Sequence, residues 1–102
     1  MGYSGPVSCL FLTNHARVLA CVAREPGIRL RDLAAQLDLT ERGAHRILCE
    51  LIETGYLTKH RIGRRNFYEV HPELPLDDPV APDRAVGDLI DLLLPPRERA
   101  SA

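Results

Sequence analysis

The sequence lacks long apolar runs and the short motifs of common enzymes. No stretch of its 102 residues approaches the roughly 20 apolar residues that a membrane-spanning helix needs. The apolar patch from Val7 to Leu12 follows no basic segment and precedes no small-residue cleavage point, which argues against a signal peptide. There is also no glycine-rich phosphate loop, nucleophile elbow or recognisable acid and base pair, so we expect no enzymatic activity.

Cysteine is scarce and is not clustered. The three cysteines, Cys9, Cys21 and Cys49, form no C-x-x-C pair, so neither a disulfide framework nor a cysteine-based zinc site has support. Cys21 is expected in the core. The histidines His15, His60 and His71 share no i, i+4 spacing with each other, so we favour structural or surface roles for all three over a metal site. We therefore expect a cytoplasmic protein with reduced thiols and no membrane association, metal or cofactor.

Positive and negative charges nearly balance over the whole chain, but they are unevenly distributed along it. The net charge is -1, yet residues 1–72 hold ten of the thirteen Lys and Arg and seven of the fourteen Asp and Glu, giving +3. Residues 73–102 hold the rest and carry -4. All the basic residues except Lys59 are arginines, which suit bidentate contacts to phosphate or guanine. The acidic end thus masks a basic region.

Apolar residues recur with helical spacing in the first half of the chain. Three helices are predicted, from Thr13 to about Arg24, from about Arg31 to Leu37, and from about Glu41 to Thr54. Thr13 can cap the first helix, Thr40 is a good N-cap for the third helix, and Gly55 stops the third helix. The break at Asp38-Leu39 is so short that the second and third helices must cross steeply. The expected core consists of Ala16, Leu19, Val22, Ala23, Leu33, Ala34, Leu37, Ala44, Ile47, Leu48, Leu51 and Ile52.

A β-hairpin is predicted after the third helix. Tyr56 to Arg61 and Asn66 to Val70 alternate as two strands around a turn at Ile62-Gly63-Arg64-Arg65. The basic residues at its tip are expected to be exposed. Together with the arginine and histidine side of the third helix, this tip has the character of a DNA-reading surface.

The composition changes at Pro72. Six of the eight prolines lie from there onward, and residues 72–82 are predicted to be a spacer. A fourth helix is expected over residues 83–94, followed by a loose tail over residues 95–102. The apolar stripe of the fourth helix could pack back on the domain. We favour instead a two-fold dimer contact through this stripe, with the segment from Leu10 to Leu12 as a possible partner. The stripe consists of Val86, Leu89, Ile90 and Leu93.

The stretch LRDLAAQLDLTERGAHRILCELIETGYL, with the hairpin after it, resembles the winged helix-turn-helix domain of small regulators of the MarR and ArsR type. The shared features are the L-x-x-L-A-x-x-L pattern of the second helix, a polar residue opening the third, Arg46 in its middle, and L-x-x-L-x-x-x-G-Y-L leading into the wing. Asp38 stands where many relatives have glycine, although aspartate tolerates a left-handed backbone. The cysteine motif of ArsR-type metal sensors is absent.

This resemblance implies DNA-contacting roles for particular residues. The third helix would enter the major groove and the wing would touch the backbone or the minor groove. Glu50 follows Arg46 by four residues and could pair with it. Cys49, at the edge of this surface, is either a redox switch activated by Arg46 or His45, or an inert, partly buried thiol, which we favour. The implied contacts are Thr40, Arg42, His45 and Arg46 on the helix and Arg61, Arg64 and Arg65 on the wing.

We therefore predict a mainly α protein with a small β-hairpin (α+β), a winged helix-turn-helix. Its expected parts are an N-terminal extension (1–12), a DNA-binding domain (13–71), a linker (72–82), a dimerising helix (83–94) and a tail (95–102). The expected function is sequence-specific binding of double-stranded DNA as a homodimer in transcriptional regulation. The alternative is a winged-helix module that binds a protein partner instead. No small-molecule effector is indicated by the residues.

Overall fold

The computed structural model describes residues 9–95 and shows the predicted α+β architecture there. Residues 1–8 and 96–102, and with them most of the predicted tail, lie outside the described residues. Within the described range no helix is long and apolar enough to cross a bilayer. The elements are α1 (Asn14–Arg24), α2 (Leu30–Leu37), α3 (Glu41–Glu53), β1 (Leu57–Ile62), β2 (Arg65–Val70) and α4 (Val86–Leu93).

The starts of α1 and α3 are fixed by the predicted threonine caps. The Thr13 hydroxyl accepts the N–H of Ala16 at 3.1 Å, and the Thr40 hydroxyl accepts the N–H of Gly43 at 2.9 Å. Each bond satisfies a donor that the first helical turn leaves free. Between α2 and α3, Asp38 adopts the left-handed conformation (φ 56°, ψ 45°), so this aspartate does take the place of a glycine in the turn.

The core lies between α1, α2 and α3 and is closed by β1 and α4. Most of the predicted core residues are buried, while Ala16, Ala23, Leu37 and Ile52 are only half-buried. Cys21 is buried as expected, and burial raises the pKa of its thiol. The buried set is Val18, Leu19, Cys21, Val22, Ile28, Leu33, Ala34, Ala44, Ile47, Leu48, Leu51, Leu57, Val86, Ile90 and Leu94.

The hairpin turns at the predicted place, and each strand extends one residue further at the tip than predicted. The antiparallel register pairs Ile62 with Arg65, so the turn consists of Gly63 and Arg64 alone and both strands are longer at the tip. Gly63 has a φ of +63°, which glycine adopts without steric cost. Two-residue turns with a positive φ follow the natural twist of paired strands. With the paired corners Ile62 and Arg65, this turn comprises the four predicted residues.

The segment that was predicted to be a spacer is held against the domain. The Tyr56 hydroxyl donates to the Pro75 carbonyl at 2.6 Å, and the Val86 N–H donates to the Leu74 carbonyl at 2.8 Å. Pro75 also forms an isolated bridge with Ala85. As a result α4 starts at Val86, three residues later than predicted, and the chain between β2 and α4 is not a free tether.

The apolar stripe of α4 packs partly on its own domain. Val86 and Ile90 are buried, and α4 contacts α1; Leu89 and Leu93 are half-buried. A helix of eight residues needs such tertiary contacts because short helices are unstable alone in water. In this arrangement Val86 and Ile90 contribute to the fold of one chain, while Leu92 on the outer side stays 81% exposed.

Candidate nucleic-acid interface

The outward side of α3 carries the residues predicted to read DNA. Arg42, His45 and Arg46 are all exposed, while the neighbouring Ala44 and Ile47 are buried in the core. Thr40 is also exposed, and its hydroxyl accepts the N-cap bond. The helical period thus separates a buried apolar face from a basic face. Such a face is what a helix needs in order to reach base edges in a major groove.

Arg46 belongs to a three-residue network that links α3 to α1. Its Nε donates to Glu50 Oε2 at 3.3 Å, which confirms the predicted pair four residues apart. The other carboxylate oxygen, Glu50 Oε1, lies 2.6 Å from His15 Nε2. His15 was expected to have only a structural or surface role, and no sequence pattern indicates this contact because 35 residues separate the partners.

The network keeps Glu50 charged. Hydrogen bonds from His15 and then from Arg46 lower the pKa of the Glu50 carboxyl. Because the folded pKa lies below the unfolded one, this interaction stabilises the fold above the unfolded pKa and is lost as the pH falls through the lowered value. At neutral pH the carboxylate therefore holds Arg46, although 80% of the arginine side chain remains exposed.

We expect Glu50→Gln to tighten binding to duplex DNA roughly two- to fivefold, the range of an exposed ion pair. The substitution removes a negative charge from α3. It also frees the Arg46 guanidinium, because Arg46 no longer has to break an ion pair with Glu50 in order to contact DNA. Fluorescence anisotropy with a labelled duplex measures the change. Glu53→Gln is the matched control, since Glu53 is an exposed carboxylate on the same helix. An equal gain in both variants would mean that only net charge matters.

Cys49 is half-buried beside His45. Its Sγ lies 3.7 Å from His45 Nε2 and 3.9 Å from Nδ1, and all three described cysteines are free thiols. Burial, and after it Cys49, raises the pKa of the Tyr68 hydroxyl. Cys49 therefore borders the exposed basic side of α3. Its reactivity stays a prediction.

The three arginines predicted on the wing have different surroundings. Arg61 Nε donates to the Gly63 carbonyl at 3.3 Å across the turn. Arg64 occupies the turn, is exposed, and has no hydrogen bond or ion pair with other residues in the 9–95 range. Arg65 is the first residue of β2, and its guanidinium donates to the Gly27 carbonyl. Arg64 is therefore the cation most available at the tip.

Arg65 anchors the hairpin to the turn between α1 and α2. Its guanidinium also lies over the Phe67 ring, 5.7 Å from the centroid. Next to it, the Tyr68 N–H donates to the Pro26 carbonyl at 3.0 Å. These contacts span about 40 residues of sequence, and sequence reasoning missed them. They fix the direction of the hairpin relative to α3.

Gly27→Ala is expected to displace the hairpin and to cost about 1 to 3 kcal/mol of stability, the usual range for overpacking. A Cβ at this position would lie 2.7 Å from Phe67 Cε1, so the ring has to move. Urea unfolding measures the loss. If Gly27→Ala were as stable as the wild type, Phe67 would not be packed tightly on this turn.

Comparison with known proteins gives the same class as the geometry. Residues 12–61 match the model of the IclR helix-turn-helix domain, a stretch that covers α1, α2, α3 and most of β1. A solved structure of a predicted DNA-binding transcriptional regulator from E. coli superposes with a TM-score of 0.55 at 17% identity, covering 76% of this chain and 70% of that chain. The described fold is a winged helix-turn-helix, and the predicted resemblance to this class of regulators is confirmed.

Two curated relatives are similar in sequence. The arsenic resistance transcriptional regulator ArsR1 of Pseudomonas putida is 34% identical over 67 residues, which are 66% of this chain and 52% of the relative. The HTH-type transcriptional regulator PetP of Rhodobacter capsulatus is 37% identical over 60 residues, 59% of this chain and 36% of the relative. The chain thus spans about half of the length of the first relative and just over a third of the second. Both relatives are transcriptional regulators by name.

Proposed function

We propose that this protein is a transcriptional regulator that binds specific sequences of double-stranded DNA. In this proposal α3 enters the major groove and the hairpin rests on the backbone or in the minor groove. The observation that carries it is the exposed face of α3, on which Arg42, His45 and Arg46 stand together. Arginine makes the commonest specific contact with guanine, through two parallel hydrogen bonds.

The division of charge supports the same proposal. The basic residues lie mainly before residue 73, where α3 and the hairpin are, and the acidic excess lies after it. Duplex DNA attracts the first region through its phosphates and repels the second. We therefore propose that the segment with α4 lies on the side away from the duplex, and that the protein acts in the cytoplasm, where it can reach chromosomal DNA.

The test is whether the purified chain binds a random-sequence duplex in a salt-dependent way. Neutralising phosphates releases counterions, so the logarithm of the affinity should fall linearly with the logarithm of the salt concentration. Fluorescence anisotropy at several salt concentrations gives this slope. If the chain bound no duplex at any salt concentration, the proposal would be wrong, and the protein-interaction module would take its place.

We also propose that two copies form a dimer through the outer side of α4 and the segment before α1. Leu92 on α4 is 81% exposed, and Leu10 and Phe11 are 87% and 92% exposed. The two regions are close, because Thr13 and Leu89 line the same apolar groove. A two-fold pair would place two α3 helices about one DNA turn apart, roughly 34 Å, as two half-sites require.

Phe11→Asp combined with Leu92→Asp is expected to convert the dimer to a monomer in sedimentation velocity. Both side chains are exposed, so the charges should disturb association without disturbing the core. Val80→Asp is the matched control, because Val80 is an exposed apolar residue outside the proposed interface. A double variant that still sediments as a dimer would place the interface elsewhere.

A further inference from the structure

His15 links the first helix to the side of α3 that would read DNA. It is the second residue of α1, and its side chain is exposed to solvent. Its Nε2 lies 2.6 Å from Glu50 Oε1, while the other oxygen of the same carboxylate accepts from Arg46. One carboxylate thus serves two basic side chains. Arginine is always charged, whereas histidine ordinarily changes its charge between about pH 5 and pH 8.

The proton in the short contact belongs to His15. Because its hydrogen bonds lower the pKa of the Glu50 carboxyl, that group is ionised at neutral pH and can only accept. The neutral imidazole therefore donates from Nε2 and carries no proton on Nδ1. When Nδ1 binds a proton, the contact becomes an ion pair between an imidazolium and a carboxylate.

The charge of His15 changes how strongly Glu50 attracts Arg46. Beside a neutral imidazole, the carboxylate presents its whole negative charge to the guanidinium. Beside an imidazolium, the carboxylate has a second cation within hydrogen-bond distance, and that cation repels the guanidinium. The ion pair between Arg46 and Glu50 is then weaker, and less free energy is needed to replace it by a contact with DNA.

The groups around His15 leave it as the part of this network that titrates near neutral pH. The hydrogen bonds and charges that act on the Glu50 carboxyl come from His15 and Arg46. On α1 itself, the Arg17 guanidinium is held by a side chain of the same helix and by a carbonyl at the end of α2. The apolar groove that His15 lines contributes the Tyr56 hydroxyl, and the side chains that α4 adds to this groove are apolar.

We propose that His15 is a positioning residue whose protonation loosens the hold of Glu50 on Arg46 and so releases the arginine to DNA as the pH falls. The inference rests on the proposed function, because it needs Arg46 to contact DNA. His15 acts through Glu50 and does not have to touch the duplex. Discrimination between DNA sequences then depends on pH, since the released residue is the one proposed to contact a base.

The experiment measures discrimination between two duplexes from about pH 6 to about pH 8, within the range in which histidine titrates. Discrimination is the ratio of the dissociation constants for a scrambled and a preferred duplex, measured by fluorescence anisotropy. Added positive charge attracts the phosphates of both duplexes alike, so the ratio cancels that effect. His15→Gln is the test variant, because glutamine keeps an N–H donor for Glu50 but does not titrate.

His60→Gln is the matched control. His60 Nε2 lies 2.9 Å from Glu69 Oε1, which is the same kind of contact between an exposed histidine and an exposed carboxylate. Within residues 9–95 the charges that act on Glu69 are those of His60 and His71, and no arginine shares its carboxylate. Thermal unfolding followed by circular dichroism at each pH checks that every variant is folded.

From about pH 8 to about pH 6, discrimination by the wild type should rise roughly two- to fivefold more than discrimination by His15→Gln, the range of an exposed ion pair. His60→Gln should keep the rise of the wild type. In a Glu50→Gln background, His15→Gln should have no further effect on the pH profile, because the residue through which His15 acts has lost its charge.

Two results would overturn this proposal while leaving the proposed function in place. One is a wild type that discriminates between the duplexes with the same pH profile as His15→Gln, even if that variant unfolds at a lower temperature. The other is an equal effect of His15→Gln with and without Glu50→Gln, since His15 would then act by another route. If the wild type bound no DNA or did not discriminate between the duplexes, both proposals would fail.

Discussion

Arg46→Ala is expected to weaken binding to the preferred DNA site by about 1 to 3 kcal/mol and to relax the sequence preference, as the loss of one bidentate base contact does. Arg46 lies midway along the exposed face of α3, and 80% of its side chain is exposed. Its one partner in the described range, Glu50, holds it at 3.3 Å. That contact orients the guanidinium, and Arg46 can exchange it for a contact with a base edge when DNA binds.

Arg46→Lys separates a base contact from a phosphate contact. Lysine keeps the charge but lacks the planar fork that matches guanine. We expect Arg46→Lys to lose most of the discrimination between preferred and scrambled duplexes while it keeps the salt slope of the wild type. Equal losses of Arg46→Ala on both duplexes would show that Arg46 contacts only phosphate, and the direct reading of bases would have to be done by Arg42 or His45.

Leu33→Ala is expected to lower the free energy of unfolding by about 2 to 5 kcal/mol, the range for a leucine removed from a packed core. Leu33 is 0% exposed and lies on α2 in the core with α1 and α3. A domain of this size has a total stability of about 5 to 15 kcal/mol, so the variant should be close to unfolding at 37 °C and should lose DNA binding with its fold.

Urea unfolding measures how much Leu33→Ala and Leu92→Ala each lower the free energy of unfolding. Leu92 is 81% exposed, and its truncation should change the stability of a single chain by less than about 0.5 kcal/mol. A loss below about 1 kcal/mol for Leu33→Ala would contradict the central place of α2 in the core. A large loss for Leu92→Ala that depends on protein concentration would instead support the proposed dimer contact.

The sequence predicted the helical core well because that core depends on local periodicity. Apolar residues at helical spacing identified α1, α2 and α3 with boundary errors of at most one residue, and Thr13 and Thr40 were recognised as caps. The exposure of Arg42, His45 and Arg46 on the outer face of α3 was predicted from the same periodicity. A residue that does not face the core on an amphipathic helix must face solvent or a partner.

Contacts between distant residues could not be predicted in this way. The contacts of His15 with Glu50 and of Arg65 with Gly27 join residues 35 and 38 positions apart, and no local pattern marks either pair. Both change the interpretation of the surface, since Arg65 anchors the wing and His15 holds the partner of Arg46. The packing of residues 72–85 against the domain was not predicted. Prolines indicate that regular secondary structure is interrupted, but they do not indicate that the segment is a free tether.

The most direct test of the whole account is the affinity of the chain for a duplex selected from random sequences, compared with a scrambled duplex of the same composition. We predict a preference of about 1,000-fold or more at physiological salt, as specific regulators show, and a steep fall of both affinities as salt is raised. Equal affinities for the two duplexes would contradict sequence-specific reading by α3. No binding to either would contradict the account entirely.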